Sequence, residues 1–349
     1  MKKKLSIVLL LVMVVTLAVG CSSKPDTQVP EDSSATSGAA VADSGKALKF
    51  GYVVNDMSHE WYQNIVKGAQ ARAKELGVEI EVADAAMDAA KQVTQLENMI
   101  TKGVDVLIIT PVDVKSLTPV VKEANEAGIP VITESNVVPD TKTYVGIDNK
   151  SGGKKAGAWF AEYAKANNID PKIIIVGLPA FEDCRLRVEG FKEGMDEAGL
   201  KYQILQEVDG QGSKETSLKV AQDAITAHMD VNVIFGINDN STTGGMAAYK
   251  EAGLDESKLT AIGFGFEGVV GREALLSGGP YKAAVAMFPD YMGVSLVDAA
   301  MKAANGEELP ANYESGTVVI TQDNFNQFYT KEGDSYATNF EAIRALMNS

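Results

Sequence analysis

From Leu48 onward, short apolar runs rich in β-branched residues alternate with longer stretches of helical spacing, and this rhythm restricts the fold more than any other feature. Strands are expected at Lys49–Asn55, Val78–Ala83, Val104–Thr110, Ile129–Thr133 and Thr143–Ile147. Helices are expected between them at Trp61–Leu76, Ala89–Thr101 and Lys115–Ala127. The pattern resumes with strands at Lys172–Val176, Tyr202–Glu207, Val231–Phe235, Leu259–Phe264, Lys282–Met287 and Thr317–Ile320. Its helices are Gly152–Ala166, Arg187–Ala198, Ser213–His228, Ser241–Ala252, Gly268–Ser277 and Tyr291–Ala304, with a closing helix near Phe340–Met347. Strands separated by helices make βαβ units and parallel sheets. Some ten strands are too many for one ordinary sheet of this type, so the sequence predicts an α/β chain with two doubly wound parallel-sheet domains.

The residues before Leu48 read as an address and a tether. Lys2, Lys3 and Lys4 precede an apolar run from Leu5 to Gly20, the layout of a secretory signal and short for a membrane span. The run ends in small residues before Cys21 and resembles a bacterial lipobox, which implies cleavage before Cys21 and a lipid on its sulfur. A lone signal-anchor helix is the plainer alternative. Residues 22–46 hold no large apolar residue other than valine, too little to offset the entropy of ordering, and read as a flexible tether.

Charge and composition exclude several functions. The net charge of −15, from 47 acids against 32 bases, argues against nucleic acid as a main partner. Two cysteines, Cys21 and Cys184, cannot make a disulfide framework. Two histidines, His59 and His228, exclude a site of three or more, and no spacing of Cys, His and carboxylates signals a metal. No G-x-G-x-x-G follows the first strand and no phosphate-binding G-x-x-x-x-G-K-[ST] occurs, so no cofactor is expected.

In doubly wound sheets, ligands bind outside the carboxyl ends of the strands. The residues there are 55–62, Thr110-Pro111, Glu134-Ser135-Asn136, Pro179 to Arg187, Asn238 to Asn240, Gly265-Phe266-Glu267 and 287–290. Amides, arginines, carboxylates and aromatics suit a polar, hydroxyl-bearing ligand.

Several of these stretches, in order, resemble the ribose- and galactose-type periplasmic binding proteins. They are GYVVNDMSHEWYQNIVKGAQARAKELG, KGVDVLIITPVD, EANEAGIPVITESN, YVGIDNKSGGKKAG, RLRVEGFKEGM, VNVIFGINDNSTTGGMAAYKEAG and AVAMFPDYMG. The resemblance implies a type I periplasmic binding fold, two lobes joined by a three-segment hinge, that closes over its ligand and is accepted by an ABC permease. It assigns 48–147 with 288–316 to one lobe and 148–287 with 317–349 to the other, after a signal peptide at 1–20 and a lipidated cysteine and tether at 21–47. It also implies a monomer without catalysis. Carried over residue by residue, it places Asn55 and His59 among first-loop polar contacts and Trp61 and Tyr62 as the ring-stacking pair. It further implies Asp183, Arg187 of the R-x-x-G-F run and Asn238 as ligand contacts.

Departures from the family pattern are equally specific. Ser135 and Asn136 stand where the ribose type has Asp-Arg; Gly265 replaces an aspartate and Met287 an amide. Charge-assisted hydrogen bonds of about 1.5–3 kcal/mol each are thereby lost. Phe266, Met287 and Phe181 are expected to make the pocket more apolar, so the sequence predicts a deoxy or modified sugar, a polyol or a furanose-like signal rather than tightly held ribose. Whether Glu134 or Glu267 restores a carboxylate is left open.

Plainer readings stand beside these. Trp61 and Tyr62 open a helix and suit a staple; Trp159 and Tyr163 suit core; Asp148 and Asp239 suit helix caps. Gly157 suits close helix–sheet packing, and His228 a helix C-terminus. A ligand-sensing subunit for a membrane kinase or chemoreceptor is the functional alternative. A Cys184–His59 enzyme is a remote one, and a repressor would need a helix-turn-helix where the leader and tether stand.

Overall fold

The computed structural model describes residues 47–333 and 335–347. The expected signal peptide, the lipidated Cys21 and the tether up to residue 46 lie outside the described residues.

The first lobe is built on β1 (Lys49–Val54), β2 (Glu79–Asp84), β3 (Val106–Ile109), β4 (Val131–Glu134) and β5 (Thr143–Gly146). Helices α1 (Glu60–Leu76), α2 (Ala89–Lys102) and α3 (Val114–Glu126) connect them. After β5 the chain crosses to a second sheet. There β6 (Lys172–Gly177), β7 (Gln203–Asp209), β8 (Val233–Gly236), β9 (Thr260–Gly265) and β10 (Tyr281–Ala286) alternate with α4 (Asn149–Ala166), α5 (Glu182–Glu197), α6 (Lys214–Ala227), α7 (Asp239–Glu251) and α8 (Val269–Leu276). The chain returns through α9 (Pro289–Ala304) to place β11 (Asn312–Glu314) beside β5. It then crosses again for β12 (Val318–Ile320) beside β10.

The sheet orders are β11-β5-β4-β3-β1-β2 and β12-β10-β9-β8-β6-β7. All pairs are parallel except β10–β12. The three crossings, near residues 147–148, 287–288 and 315–317, form the hinge of a two-domain α/β protein. The central strands read as continuous apolar runs because helices cover both sheet faces: every residue of β3 and β8 is buried.

One helix pair in each lobe packs at backbone contact. A Cβ on Gly157 of α4 would strike the Phe191 carbonyl of α5, and one on Gly293 of α9 would strike the Ile65 carbonyl of α1. Gly157 therefore serves helix–helix packing, not the helix–sheet packing expected from sequence. Beneath the α4–α5 pair, Phe191 stacks on Phe235 at 4.0 Å between ring centroids.

The end of the chain departs from expectation. Ahead of the closing helix α11 (Phe340–Met347) stand a short helix α10 (Phe325–Phe328) and a hairpin of β13 (Tyr329–Glu332) and β14 (Ser335–Thr338). Phe325, Phe328 and Tyr329 are buried and form an aromatic cluster with Phe266 and Phe288.

Candidate functional site

The carboxyl ends of both sheets open onto one interlobe cleft. On the first lobe the loops after β1, β3 and β4 supply its wall. His59 caps α1, its Nδ1 accepting the Trp61 N–H at 3.1 Å, so its ring is committed to starting the helix. Trp61 is 9% exposed and Tyr62 half-buried. Burial and the nearby Glu134 push the Tyr62 hydroxyl up, with Asn55 and Ser135 beside it opposing that shift. Asn55 is 7% exposed and its Oδ1 has no partner. Ser135 stands at φ 63°, a left-handed turn that ends β4, and Asn136 is exposed beyond it.

Glu134, left undirected by the sequence, points beneath this wall. It is 1% exposed. Oε1 accepts from Ser135 Oγ at 2.6 Å and Oε2 from Thr110 Oγ1 at 3.0 Å. Burial pushes its carboxyl up to about 7 against the opposing pull of hydrogen bonds from Ser135 and Thr110.

On the second lobe, Asp183 and Arg187 lie one turn apart on α5. The Arg187 Nε donates to Asn149 Oδ1 at 2.8 Å and an Nη1–H to the Ile237 carbonyl at 3.0 Å. Its guanidinium sits over the Phe264 ring at 4.5 Å. Burial pushes Asp183 up while Arg187 opposes that shift. Glu267 is likewise pushed up by burial, with His59 and Arg187 pulling it down and Glu60 adding repulsion.

The lobes meet at one edge of the cleft. Asn64 Nδ2 of α1 donates to the Glu267 carbonyl at 3.4 Å, and Glu60 presses so close to Gly268 that a side chain there would collide with it. Charges are felt across the cleft as well: Glu134 and Tyr144 on the first lobe both sense Asp183.

Three expected contacts are placed otherwise. Phe266 is fully buried, because Gly265 at φ 93° and Phe266 at φ 51° turn its ring into the aromatic cluster with Phe325 and Tyr329. Met287 is 5% exposed and packs with the hydrophobic core. Asn238 is occupied at both ends: Oδ1 caps α7 through the Ser241 N–H at 2.7 Å, and Nδ2 donates to the Gly212 carbonyl at 3.0 Å. Asn238 thus takes the capping role expected of Asp239. Asp239 is instead buried, accepts the Tyr281 hydroxyl at 2.6 Å, and is pushed up to about 7 by burial. Asp148 does cap α4. Phe181 is 62% exposed at the start of α5.

Cys184 is buried on α5 and burial pushes its thiol up, the reverse of what activates a cysteine nucleophile. Among the described residues no cluster of three or more His, Cys, Asp or Glu is placed to hold a metal, and no helix is long and apolar enough to cross a membrane. A groove of about 920 Å³ is lined wholly by second-lobe residues, including Lys150, Glu189, Lys192 and Glu207. Ion pairs between these side chains lace it together, and Gly177 to Pro179, Cys184 and Arg185 at its edge belong to the loop after β6 and the start of α5.

Two α/β lobes, three crossings and a polar cleft at facing strand ends define a hinged solute-binding protein. The chain belongs to the periplasmic binding protein family, whose domain matches residues 50–308. It is 30% identical to the ribose import binding protein of Salmonella typhimurium, over 75% of this chain and 86% of that protein. It is 26% identical to the ribose import binding protein of Bacillus subtilis, over 92% of this chain and all of that one. An ABC transporter solute-binding protein from Actinobacillus succinogenes, solved with bound D-allose, shares the fold with a TM-score of 0.71 at 24% identity, covering 80% of this chain and all of that one.

Proposed function

We propose that this chain is an extracytoplasmic solute-binding protein of an ABC importer, anchored by lipid on Cys21, that closes as a monomer over a small neutral sugar or polyol. The reading rests on a single juxtaposition. The unpartnered Asn55 Oδ1, with Trp61, Tyr62 and Ser135, stands on one side of the cleft; Asp183, Arg187 and Glu267 stand on the other. Carboxyl and amide oxygens on both sides offer acceptors, which suits a ligand rich in hydroxyl donors. Several carboxylates against one guanidinium disfavour an anionic sugar.

The structure changes the ligand expected from sequence. The case for an apolar face rested on Phe266, Met287 and Phe181, and Phe266 is buried in the aromatic cluster with Phe325 and Tyr329. The placement of Phe266 favours a hydroxyl-rich sugar or polyol over the deoxy or modified sugar among the expected ligands. The relatives named above as ribose import binding proteins, and the neighbour holding D-allose, support that class. Closure would follow from contacts that only the shut form makes with both lobes, which shifts the population toward it. The permease would then read closure.

A thermal-shift screen over pentoses, hexoses and polyols tests the reading. A true ligand at a hundredfold excess over Kd stabilises by about 2.7 kcal/mol. If no compound in that panel raises the melting temperature at millimolar concentration, a sugar-binding role is refuted.

A further inference from the structure

The loop after β9 holds a backbone that side chains avoid. Gly265 stands at φ 93° and Phe266, which has a Cβ, at φ 51°. Left-handed residues of this kind persist only where their surroundings hold them. Two contacts do so here. The Phe266 ring is fully buried, edge-on to Tyr329 at 5.6 Å and to Phe325 at 6.2 Å. Arg272, in the first turn of α8, reaches back so that its Nη2 donates to the carbonyls of Phe266 at 3.4 Å and Glu267 at 3.5 Å. Its guanidinium lies over the Tyr329 ring at 4.4 Å. We propose that Arg272, backed by Tyr329, is the positioning residue of this loop: it fixes the Glu267 carbonyl for the first lobe and the Glu267 carboxylate at the end of β9. The role of that carboxylate toward a ligand rests on the reading above; the link to the first lobe does not.

The Glu267 carbonyl is where the two lobes join. A carbonyl oxygen has two lone pairs, and this one takes a donor from each lobe: Arg272 Nη2 from α8, and Asn64 Nδ2 from α1 at 3.4 Å. The interlobe bond therefore depends on where Arg272 holds its acceptor. The Glu267 side chain folds back along the loop, so that a Cβ at Gly265 would lie 3.8 Å from its Oε2. The carboxylate thus stands beside the last residue of β9, which has no side chain of its own. Arg272 is 8% exposed and makes no ion pair among the described residues. A buried guanidinium is costly unless it is hydrogen-bonded. Its Nε has no partner, which leaves the loop carbonyls and the Tyr329 ring to hold the charge. Tyr329 serves with its ring alone, because its buried hydroxyl has no partner either. The hairpin that begins at Tyr329 thereby backs a loop of the cleft from the far end of the chain.

A double-mutant cycle on the ligand-free protein tests the link, with the ratio of open to closed form read by X-ray scattering. Arg272→Met keeps the bulk and removes the donors. Asn64→Ala and Arg272→Met should each raise the ratio about two- to fivefold, and the double variant should go no further than the larger single change, because both act through one carbonyl. A general loosening of the second lobe would instead add to the Asn64→Ala shift. Singles that multiply in the double variant overturn the proposal, as does an unmoved ratio in either single. Tyr329→Phe keeps the ring and should match the parent, whereas Tyr329→Leu should match Arg272→Met; Phe and Leu variants that behave alike remove Tyr329 from the support. If Arg272→Met does not fold, Tyr329→Leu with Asn64→Ala carries the same cycle. Calorimetry with D-ribose and D-allose tests the carboxylate. Arg272→Met should weaken whichever sugar binds by about threefold or more, and the penalty should vanish in a Glu267→Ala background. A sugar held equally well by Arg272→Met overturns the positioning of the carboxylate. If neither sugar binds the unmodified chain, both leave the ligand reading, and the scattering cycle alone decides for or against Arg272.

Discussion

Replacing Arg187 by alanine should damage the second lobe before any ligand is added. The side chain makes three interactions within its own lobe: Nε to Asn149 Oδ1 at 2.8 Å, Nη1 to the Ile237 carbonyl at 3.0 Å, and the guanidinium over Phe264 at 4.5 Å. Hydrogen bonds from a charged donor contribute about 1.5–3 kcal/mol each, and a cation over an aromatic ring about 0.5–2 kcal/mol. These do not add fully, because water enters the space left behind and rehydrates the Ile237 carbonyl. Asn149 is buried, so its amide oxygen regains little. A loss of about 2–4 kcal/mol is expected. Arg187→Lys keeps the charge but not the planar fork, cannot reach both acceptors, and should lose about half as much. Urea unfolding followed through Trp159, which lies on α4 of the same lobe, reads this directly. Sugar affinity by calorimetry should fall at least tenfold in the alanine variant, because the remaining N–H groups would face the ligand. An alanine variant that unfolds within about 0.5 kcal/mol of the parent would refute the reasoning, since surface substitutions away from such contacts fall in that range.

Three other outcomes are expected. Gly157→Val drives a side chain into the Phe191 carbonyl, and forced overpacking against backbone should cost about 2 kcal/mol or more in a denaturant melt; an unchanged midpoint would contradict the close α4–α5 contact. Asn64→Ala removes the hydrogen bond to the Glu267 carbonyl, worth about 0.5–1 kcal/mol, and should shift the ligand-free protein two- to fivefold toward the open form. X-ray scattering would show a larger radius of gyration, and identical profiles would remove Asn64 from closure. Asp239 and Glu134 both have carboxyls raised to about 7 by burial, so between the ordinary carboxylate range and pH 7 the native state holds protons that the unfolded chain has lost. Their contribution is therefore full below about pH 4 and falls as pH rises through 7. Asp239→Asn should flatten part of that decline between pH 5 and 8 in urea titrations, and an unaltered slope would show that Asp239 is not buried as a neutral acid.

Much of the architecture was legible in the residues. Val106–Ile109 and Val233–Gly236 are apolar throughout because both faces of a central parallel strand are covered, and a periodic helix follows each. The elements the sequence did not signal include β11, α10 and the β13–β14 hairpin, three or four residues each. Runs so short carry no readable period, and β11 exists only because β5 offers an edge more than 160 positions away in sequence. The site divides in the same way. Strand–helix alternation located the loops after β1, β4, β6, β8, β9 and β10. It did not say which side chains in those loops face the cleft. Phe266 and Glu267 are neighbours, yet left-handed backbone at 265 and 266 sends the ring into an aromatic cluster and leaves the carboxylate beside His59.

The sequence by itself determined the order of strands and helices and the positions where chain leaves each strand, because hydrophobic period is a local property written every two or every 3.6 residues. Tertiary structure alone decided that Glu134 lies under Trp61, Tyr62 and Ser135, that Asn238 is spent on capping α7, and that Asn64 reaches Glu267. Those outcomes depend on how far loops from separate sheets approach one another and on which polar groups lose water when they do, and neither is encoded in any single stretch of the chain.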